Sequence, residues 1–553
     1  MNNKKNIYYI IPFLVLVILF GILDDFAIYK EIPLMFKLNR GPSAIAYLSV
    51  FGLSILSLLI LFFFRNNFIK ITSLLVFFVS VSLELGYSAL NGTGLGYEDI
   101  LLLYQNVGFS LGGETFQTYF QEILKAASIS FVLTSSLSIG IYKYKKISFS
   151  KKRYLLLPLI CAFAVLFIFD YSILNRTSFP APIKIPSLFY YASKNNLYSG
   201  ARDQPYIQPI TNPLAKHIVW IIDESIRGDL LQINGLAKET TPFLKSIESD
   251  ILNLGTATSG AVCSDYSHIM LMSGIRPNQL PDKNGLSRKM PTIFQYAQKS
   301  GMTSNLIYCP GFKDHPSGYL TKNDFEIIEN LKFTRKEYPD IKPHEIDLYS
   351  INFLENVIKT QGSSFTYFLK YGAHVHYEST YPPDKKFFTP TQDPKDLFEG
   401  SREEMLNSYY NALRWEVDAF YQEIVSRFKG QDVLIIYTSD HGQNLLDHET
   451  VKISHCATYN AIPQMAEVPI FILPLQDSLK DTLSNMMKYD NKNRISHFNI
   501  FPSTLIMMGY NKDQVKNYYE ETIFDNLSKK KRFYTSGDIF GRGPFFINDY
   551  NPR

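Results

Sequence analysis

The feature that most constrains the fold is a set of five long apolar runs, all of them within residues 1–173. Each run has roughly the 17–25 residues with which a helix crosses a bilayer. The runs cover residues 7–23, 42–64, 71–90, 126–142 and 154–173. No small-residue cleavage site follows the first run, so it is not expected to be a cleaved signal peptide. The sequence therefore predicts an N-terminal transmembrane bundle of five helices.

Positive charge predicts the orientation of this bundle. Lysines and arginines cluster before the first run, between the second and third, and between the fourth and fifth. They are Lys4, Lys5, Arg65, Lys70, Lys143, Lys145, Lys146, Lys151, Lys152 and Arg153. With five spans these positions share one side, which the positive-inside rule makes cytoplasmic. The C-terminal part is therefore expected outside the cytoplasm.

Two acidic residues, Glu84 and Asp170, fall within or near the outward ends of the third and fifth runs. Ionisable groups at such a depth are costly and often functional, so they could attract the ammonium group of a lipid. Anchoring at the interface, or a hydrogen bond between packed helices, explains them equally well. Both interpretations stay open.

Residues 174–216 contain six prolines, so most of this stretch is predicted to be a connector rather than continuous helix. A short amphipathic helix is expected around residues 187–194, near the membrane surface. The predicted organisation is a transmembrane domain at residues 1–173, a bridging helix and linker at 174–216, and a globular domain at 217–553.

Composition excludes some functions for this globular domain. A net charge of +4 over 553 residues, with no basic stripe among aromatic residues, argues against nucleic-acid binding. Four cysteines without a CxxC pair argue against a thiolate zinc site or a disulfide-rich scaffold. Cys161 lies in an apolar run. A single bridge among Cys263, Cys309 and Cys456 stays open.

Acidic and imidazole side chains follow two strand-like apolar runs. Residues 433–439 lead into Asp440 and His441, and residues 217–222 lead into Asp223 and Glu224. Side chains at the carboxyl ends of buried strands project into the crevice where α/β proteins bind ligands. Carboxylate and imidazole groups are ligands of zinc. A strand followed by a polar turn is the alternative for either pair alone, but both together predict a metal site.

A serine hydroxyl precedes the next helical pattern. Ser264 ends a loop of small residues, 255–264, and helical spacing follows at 265–274. Such a hydroxyl is ordinarily an N-cap. In the functional interpretation, Ser264 attacks a phosphate whose oxygens are stabilised by the N-terminus of the helix. A bound metal ion would favour the attacking alkoxide.

Three motifs carry a family resemblance. The ESIR at residues 224–227, the LMSG at 271–274 after a hydroxyl nucleophile, and the SDHG at 439–442 resemble the alkaline-phosphatase/sulfatase superfamily. Five spans ahead of such a domain look like its membrane branch, the phosphoethanolamine transferases that modify lipid A and other surface glycans. The resemblance implies an α/β domain with a mostly parallel sheet flanked by helices. It also implies the bacterial inner membrane, with the catalytic domain in the periplasm.

The resemblance implies roles for particular residues. Ser264 would carry the transferred group, and one tightly bound zinc ion would be held by Glu224, Ser264, Asp440 and His441. His374, after the strand-like residues 365–369, and His455, fourteen residues after His441, match histidine positions of the family. His455 would contact the phosphoryl group or a second metal ion. His376 and His448 are weaker candidates.

The chain also departs from the family. Many phosphoethanolamine transferases place the nucleophilic threonine in a Cys-Gly-Thr-x-Thr segment closed by a disulfide, whereas residues 255–258 here are Gly-Thr-Ala-Thr without that cysteine. Two registers therefore assign the nucleophile to Ser264 or to Thr258. Ser264 is favoured because Thr258 lies six residues further from the helix. Cys263 lacks the Cys-x-Pro-x-Arg context of formylglycine sulfatases.

The expected function is zinc-dependent transfer of phosphoethanolamine from phosphatidylethanolamine to lipid A, lipopolysaccharide or another surface glycan. Phosphoglycerol transfer from phosphatidylglycerol is the nearest alternative. Hydrolysis of sulfate or phosphate esters is another, and a catalytically inactive scaffold is a fourth. The amphipathic residues 405–428 are expected to pack on the sheet and to carry no chemistry.

Overall fold

The computed structural model describes residues 12, 14–21, 41–91, 95–96, 100, 114–143, 148–170, 179–193, 198, 200–310, 320–393, 401–448, 453–541 and 545–551. Contacts divide the chain into two units. The first comprises Met1–Asn196 with Arg542–Pro544, and the second comprises Leu197–Gly541 with Phe545–Arg553. The three-part division read from the sequence stays a prediction.

Helices make up most of the described residues of the first unit, in which Phe64 and Phe149 also form an isolated β-bridge. Residues 14–21 are helical, and the longer helices are α1 (Gly41–Phe62), α2 (Asn67–Asn91), α3 (Glu114–Lys143), α4 (Leu156–Asp170) and α5 (Ala181–Ser193). Among the described residues, three stretches are long and apolar enough to cross a membrane: Ala44–Phe62, Asn67–Ala89 and Ile123–Lys143. These stretches correspond to the second, third and fourth predicted runs.

The count of five membrane helices is not confirmed. Helix α4 has 15 residues, about 22 Å at 1.5 Å per residue, which is shorter than a hydrocarbon core of about 30 Å. Only residues 12 and 14–21 of the first predicted run are described. The first and fifth spans therefore stay predictions.

Helix α5 begins earlier than predicted. It spans Ala181–Ser193 and contains Pro186, whereas the sequence suggested a helix only from residue 187; residue 194 lies outside the described residues. Pro182 occupies the first turn, where a backbone N–H has no partner within the helix. The Lys184 ammonium lies 2.6 Å from the Glu84 carboxylate on α2. Glu84 therefore joins two packed helices, the second of its two interpretations.

The second unit is built on a seven-stranded sheet in the order β2-β7-β6-β1-β5-β3-β4. The strands are β1 (His217–Asp223), β2 (Leu252–Thr258), β3 (Thr303–Tyr308), β4 (Asn330–Phe333), β5 (Ser364–Leu369), β6 (Val433–Ser439) and β7 (Glu467–Pro474). Strands β6, β1, β5, β3 and β4 run parallel, while β7 is antiparallel to β6 and β2. The predicted mostly parallel sheet is thus confirmed.

Helices surround this sheet, and a separate two-stranded ribbon pairs β8 (Phe533–Gly537) with β9 (Phe545–Asp549). The helices are α6 (Pro242–Ser246), α7 (Ser264–Ser273), α8 (Leu286–Lys289), α9 (Ile293–Lys299), α10 (Lys322–Ile327), α11 (Thr334–Glu337), α12 (Pro343–Thr360), α13 (Arg402–Ala412), α14 (Phe420–Phe428), α15 (Asp477–Met486), α16 (Ile500–Met507) and α17 (Lys512–Tyr518). Strands β1, β5 and β6 are buried along their whole length, as expected for parallel strands covered on both faces.

Two local predictions need correction. Residues 255–258 belong to the edge strand β2 instead of a loop, because their backbone pairs with β7. The predicted helix 405–428 is interrupted by a π-helical segment, Leu413–Ala419, between α13 and α14. Such segments often occur at functional sites, and this one contributes contacts next to the site described below.

Candidate active site

Four predicted site residues meet at the carboxyl edge of the sheet. We call Glu224, Ser264, Asp440 and His441 the ligand cluster. His441 Nε2 lies 3.4 Å from Glu224 Oε1, 3.3 Å from Asp440 Oδ2 and 3.1 Å from Ser264 Oγ. Oxygen and nitrogen atoms of Glu224, Asp440 and His441 all lie within 4.8 Å of one another. The structure therefore brings together the residues that the sequence assigned to one metal ion.

Sheet register explains this convergence. Strands β1 and β6 are parallel neighbours, and Asp223 pairs with Ser439. The residues that follow these two strands therefore emerge side by side. Gly442 completes the turn after His441 because a Cβ at this position would lie 2.2 Å from the Gln464 carbonyl oxygen. A residue larger than glycine would push the chain away from the site.

Asp440 is buried with half of its carboxylate unused. Its Oδ1 atom accepts hydrogen bonds from the backbone N–H groups of Ser225 and His441, at 3.1 and 2.7 Å. Its Oδ2 atom is buried and has no hydrogen-bond partner. A buried, unsatisfied carboxylate oxygen is costly unless a cation or donor meets it. This atom faces the Nε2 atom of His441.

The protonation of His441 adds to this demand for a cation. Its Nδ1 atom lies 2.7 Å from the Gly442 carbonyl oxygen and must donate to it, since a carbonyl only accepts. Burial lowers the pKa of His441 to about 4, so the ring is neutral near pH 7. The unprotonated Nε2 lone pair then points toward the carboxylates of Glu224 and Asp440. Two carboxylates and one imidazole lone pair match the ligand set of a divalent zinc ion.

Ser264 is the first residue of α7, and Cys263 is its extended N-cap. The sequence placed the helix start one residue later. Ser264 therefore sits in the first turn, where free backbone N–H groups favour an anion. A disulfide joins Cys263 to Cys456, which ties the residue before Ser264 to the residue after His455. This bridge is one of those that the sequence left open, and the thiol of Cys309 is free and buried.

Both family histidines lie near the ligand cluster. The His455 ring stacks on His441, with ring centroids 4.3 Å apart. Burial and the neighbouring His441 and His374 lower the pKa of His455 well below its usual value. His374 also lowers the pKa of His441. His376 is half-buried and His448 is exposed, and the roles of these four histidines stay predictions.

The alternative nucleophile, Thr258, occupies a different setting. It is buried at the end of β2, where its backbone pairs with Glu467 of β7. Its hydroxyl oxygen is buried without a hydrogen-bond partner. Ser264, in contrast, is half-buried and within hydrogen-bonding distance of His441. This geometry favours Ser264 as the group that attacks a substrate.

A second buried ionic group, which sequence reasoning missed, lies behind the ligand cluster. We call Asp223, Asp347, Lys370 and Glu416 the lysine cluster. Lys370 Nζ lies 2.7 Å from Asp223 Oδ2 and 3.7 Å from Asp347 Oδ2, and it donates to the Glu416 carbonyl oxygen. Despite burial, the two aspartates raise the pKa of Lys370. Burial raises the pKa of Glu416 well above its usual value.

The lysine cluster holds the loop that carries His374. Asp347 accepts hydrogen bonds from the backbone N–H groups of Tyr371 and Gly372, at 2.7 and 3.0 Å. Gly372 has a φ of +62°, and a Cβ there would lie 2.4 Å from Asp223 Oδ1. A glycine is therefore required where this loop crosses β1. The signal in the sequence was a lysine directly after the apolar run 364–369.

Helices α13 and α7 supply further contacts that the sequence did not reveal. The Tyr409 hydroxyl donates to the Ser225 carbonyl oxygen at 2.7 Å and accepts from the Arg227 N–H at 2.9 Å. His268, one turn after Ser264, lies 4.0 Å from Asp440 Oδ2 and 2.7 Å from the Tyr367 hydroxyl. The amphipathic residues 405–428 thus support the turn after β1 through Tyr409, and their predicted lack of chemistry stays a prediction.

Comparison with known proteins bears on this arrangement. The phosphoethanolamine transferase EptA of Escherichia coli K12 is 24% identical over 326 residues, which cover 57% of this chain and 56% of that protein. The chain thus matches about half the length of this curated relative. The integral membrane lipooligosaccharide phosphoethanolamine transferase A of Neisseria meningitidis superposes with a TM-score of 0.61 at 16% identity, covering 91% of this chain and 96% of that one.

A third comparison concerns the globular part alone. The C-terminal periplasmic domain of EptC from Escherichia coli, solved in complex with zinc, superposes with a TM-score of 0.51 at 16% identity. It covers 63% of this chain and 96% of that domain. At such identities these two solved structures establish a shared fold.

The family itself follows from the sequence of the second unit. Residues 216–510, more than half of the chain, match the family model described as Sulfatase. This match includes β1, α7, β5 and β6, which carry the ligand cluster and His374. The predicted superfamily is therefore confirmed, and the chain belongs to the sulfatase family.

Proposed function

We propose that this protein transfers phosphoethanolamine from phosphatidylethanolamine to a surface glycolipid of the lipid A type through a covalent intermediate on Ser264. One observation carries the proposal. The Ser264 hydroxyl lies 3.1 Å from His441 Nε2, beside a buried Asp440 oxygen that has no hydrogen-bond partner. The relatives named above are phosphoethanolamine transferases, which supports the choice of transferred group.

The ligand cluster would hold one zinc ion through Glu224, Asp440, His441 and the Ser264 oxygen. When bound, zinc supplies a Lewis acid that favours the ionised form of the serine hydroxyl. The neutral His441 and the unsatisfied Asp440 oxygen support this assignment, because an unprotonated imidazole nitrogen and an unpaired carboxylate oxygen can both bind a cation. A second zinc ion near His455 is compatible with the lowered pKa of this histidine, which keeps its ring neutral.

The remaining chemistry belongs to the residues of the chain. Ser264 Oγ forms a bond to phosphorus, the bond from phosphorus to the glycerol oxygen breaks, and diacylglycerol leaves. The proton lost by Ser264 balances the proton taken up by the departing alcohol. An oxygen of the acceptor's hydroxyl or phosphate then forms a bond to phosphorus, the bond from phosphorus to Ser264 Oγ breaks, and Oγ takes up a proton from the acceptor or from solvent. The first turn of α7 and the rings of His374 and His455 would stabilise the phosphoryl oxygens.

A lipid donor would explain why the first unit contains apolar helices. They would anchor the protein in the bacterial inner membrane, with the second unit in the periplasm, as the distribution of lysine and arginine predicts. The enzyme could then take phosphatidylethanolamine from the surrounding bilayer. Diacylglycerol would remain in the membrane after transfer.

The test is release of diacylglycerol from phosphatidylethanolamine by the full-length chain in neutral detergent. We expect Ser264→Ala to lose activity by at least about a thousandfold, because the variant lacks the hydroxyl that forms the proposed intermediate. Intact-protein mass spectrometry should detect the phosphoethanolamine adduct on the wild type and not on this variant.

Thr258→Ala is the matched control, since it removes the hydroxyl of the alternative register. If Thr258→Ala abolished the adduct and Ser264→Ala retained it, the nucleophile would be Thr258. Parallel assays with phosphatidylglycerol and with a soluble nitrophenyl phosphate or sulfate separate the proposal from a phosphoglycerol transferase and from a hydrolase. Turnover of either soluble ester with no activity on phosphatidylethanolamine would overturn the proposal.

A further inference from the structure

A strongly basic groove lies on the second unit, outside the ligand cluster. Its volume is about 380 Å³, within the roughly 300–1,000 Å³ typical of ligand sites. Three short segments line it: residues 492–494, 530–532 and 549–551. They contribute two arginines and three lysines, against one carboxylate, Asp549. We call this feature the basic groove.

Most of this positive charge is not neutralised by the protein. Lys530 pairs with Glu520 and Glu521. Within the described part of the chain, Lys492 and Lys531 are exposed and form no ion pair. Unpaired cations that share a concave surface repel one another and attract anions. The groove therefore carries an excess of positive charge that an anionic ligand would offset.

The two arginines are held in place by neutral groups. Arg494 donates to the Ser528 carbonyl oxygen at 2.8 Å, and Arg532 donates to the Thr256 carbonyl oxygen at 3.0 Å. The Arg532 guanidinium also lies 4.3 Å from the centroid of the Tyr550 ring. Carbonyl and ring contacts fix an arginine without cancelling its charge. Burial lowers the pKa of Arg532, while Tyr550 and the Glu467 carboxylate partly oppose this shift.

The basic groove is connected to Ser264 through the backbone. Arg532 directly precedes β8, where the Thr535 N–H donates to the Gly260 carbonyl oxygen at 3.0 Å. The Val262 N–H in turn donates to the Thr535 carbonyl oxygen at 3.2 Å. Arg532 and Thr535 are roughly 10 Å apart along a strand with about 3.3 Å per residue. The strand that follows Arg532 is thus hydrogen-bonded to the segment that leads into Ser264.

The donor and the acceptor lipid of the proposed reaction differ in net charge. The phosphatidylethanolamine headgroup has one phosphate and one ammonium, so a basic groove gains little net attraction from it. A glycolipid with phosphates on its sugars is a polyanion, and arginine and lysine side chains bind phosphate through charge-assisted hydrogen bonds. Charge complementarity thus favours the acceptor over the donor as the occupant.

We propose that the basic groove binds a phosphate group of the anionic acceptor glycolipid while Ser264 carries phosphoethanolamine. This inference rests on the proposed function for the identity of the acceptor. It assigns Lys492, Arg494, Lys531 and Arg532 as determinants of acceptor binding, with no part in donor cleavage.

The test measures binding of bisphosphorylated lipid A by the full-length chain in neutral detergent, at low and high salt. The variant Lys492→Glu/Lys531→Glu reverses two exposed charges without removing a contact that holds the fold. We expect lipid A binding to weaken at least about tenfold, from roughly fivefold per lysine near an anionic lipid surface. The salt dependence should flatten as well.

Lys299→Glu/Lys429→Glu is the matched control, since both lysines are exposed and lie outside the groove. It should bind lipid A as the wild type does. Unchanged binding in the groove variant would overturn the proposal. The proposal would also be overturned if the wild type bound phosphatidylglycerol micelles as tightly as lipid A and the groove variant lost that binding. The groove would then be a general site for anionic surfaces.

Diacylglycerol release without acceptor separates this inference from the proposed function. The groove variant should release diacylglycerol at the wild-type rate and show a raised KM for lipid A with kcat nearly unchanged. If the wild type released no diacylglycerol yet bound lipid A through the groove, the proposed function would fail and the binding site would stand. If release were normal and lipid A binding were insensitive to the variant, only the groove assignment would fail.

Discussion

The ligand cluster and the lysine cluster are neighbours that differ in how the negative charge of their buried carboxylates is balanced. Both gather buried carboxylates at the carboxyl edge of the sheet. In the lysine cluster, Lys370 lies 2.7 Å from Asp223 and balances the negative charge with an atom of the chain. In the ligand cluster, no lysine or arginine among the described residues pairs with Glu224 or Asp440.

This difference suggests a criterion: a buried carboxylate that pairs with a lysine or arginine is structural, and one without such a partner is a candidate metal ligand. Asp223 and Glu224 are adjacent in sequence, and successive side chains of a strand point to opposite faces. Val219 and Ile221, on the same face as Asp223, join the core that contains Phe420. Asp223 therefore meets a closed core with its own cation, whereas Glu224 meets the site where we propose that an external cation binds.

Removing the proposed zinc ion should produce the largest effect on activity and stability. We expect a chelator to abolish diacylglycerol release and to lower the free energy of unfolding by about 4 kcal/mol, if zinc had been present at a thousand times its Kd. Elemental mass spectrometry, thermal unfolding and activity should all recover when zinc is added back. A chelated protein with unchanged melting temperature and activity would remove the distinction between the two clusters.

Removing the ammonium group of Lys370 should have an effect of similar size on stability and none on donor cleavage. Lys370→Met leaves Asp223 and Asp347 buried without their counter-charge, which should destabilise the second unit by about 3–5 kcal/mol. Thermal unfolding of the full-length chain in detergent measures this change. The control is Lys359→Met, which removes an exposed lysine from a surface ion pair with Glu355 and should hardly shift the midpoint. Equal shifts for the two variants would contradict the role given to Lys370.

Neutralising the adjacent carboxylates should have opposite effects in metal-free protein. Asp223→Asn leaves Lys370 underpaired in the core and should cost about 3 kcal/mol. Burial and repulsion from Asp440 raise the pKa of Glu224, so Glu224→Gln removes a buried charge and should stabilise the metal-free fold. Thermal unfolding after chelation compares the two variants. Loss of stability in both would mean that Glu224 is as structural as Asp223.

Asp525, which pairs with Lys512 and Lys516 near the surface, provides the smallest effect and a pH test. Burial raises the pKa of Asp525, but ion pairs with Lys512 and Lys516 at 2.9 and 2.7 Å outweigh it and lower the pKa to about 2. A lowered aspartate pKa stabilises the fold above the unfolded value of 3.8. That stabilisation is lost as pH falls from about 4 to about 2.

We therefore expect Asp525→Asn to reduce the free energy of unfolding by at most about 2 kcal/mol at pH 7 and low salt. The deficit should shrink below pH 4, because the wild-type carboxylate then protonates as well. Unfolding midpoints between pH 2 and 7 measure the difference. A deficit that stayed constant over this range would show that the side chain acts through packing and not through charge.

The sequence predicted which polar residues follow the buried strands and lie together at the edge of the sheet. The apolar runs before Asp223 and Asp440 predicted parallel strands, and the rule for the carboxyl edges of such sheets placed Glu224, Asp440 and His441 near each other. The hydroxyl before a helical pattern identified Ser264, although the helix starts one residue earlier than expected. Local signals were sufficient here because each residue is positioned by the element it ends or begins.

Other features depend on which distant segments meet, and periodicity carries no information about that. The pairing of β2 with β7 turned a predicted loop into a strand and removed Thr258 from the open side of the site. Glu416 meets Lys370 because a π-helical segment interrupts the predicted helix. The basic groove collects its charges from three separate segments.

The sequence by itself determined the class of the protein: apolar runs of membrane length, a sulfatase-type domain, and the residues able to hold a divalent ion beside a serine. Only the tertiary structure decided which carboxylates already have a cation. The physical reason is that a carboxylate's charge state depends on what lies within a few ångströms of it. For Asp223 the nearby cation comes from a lysine 147 residues away.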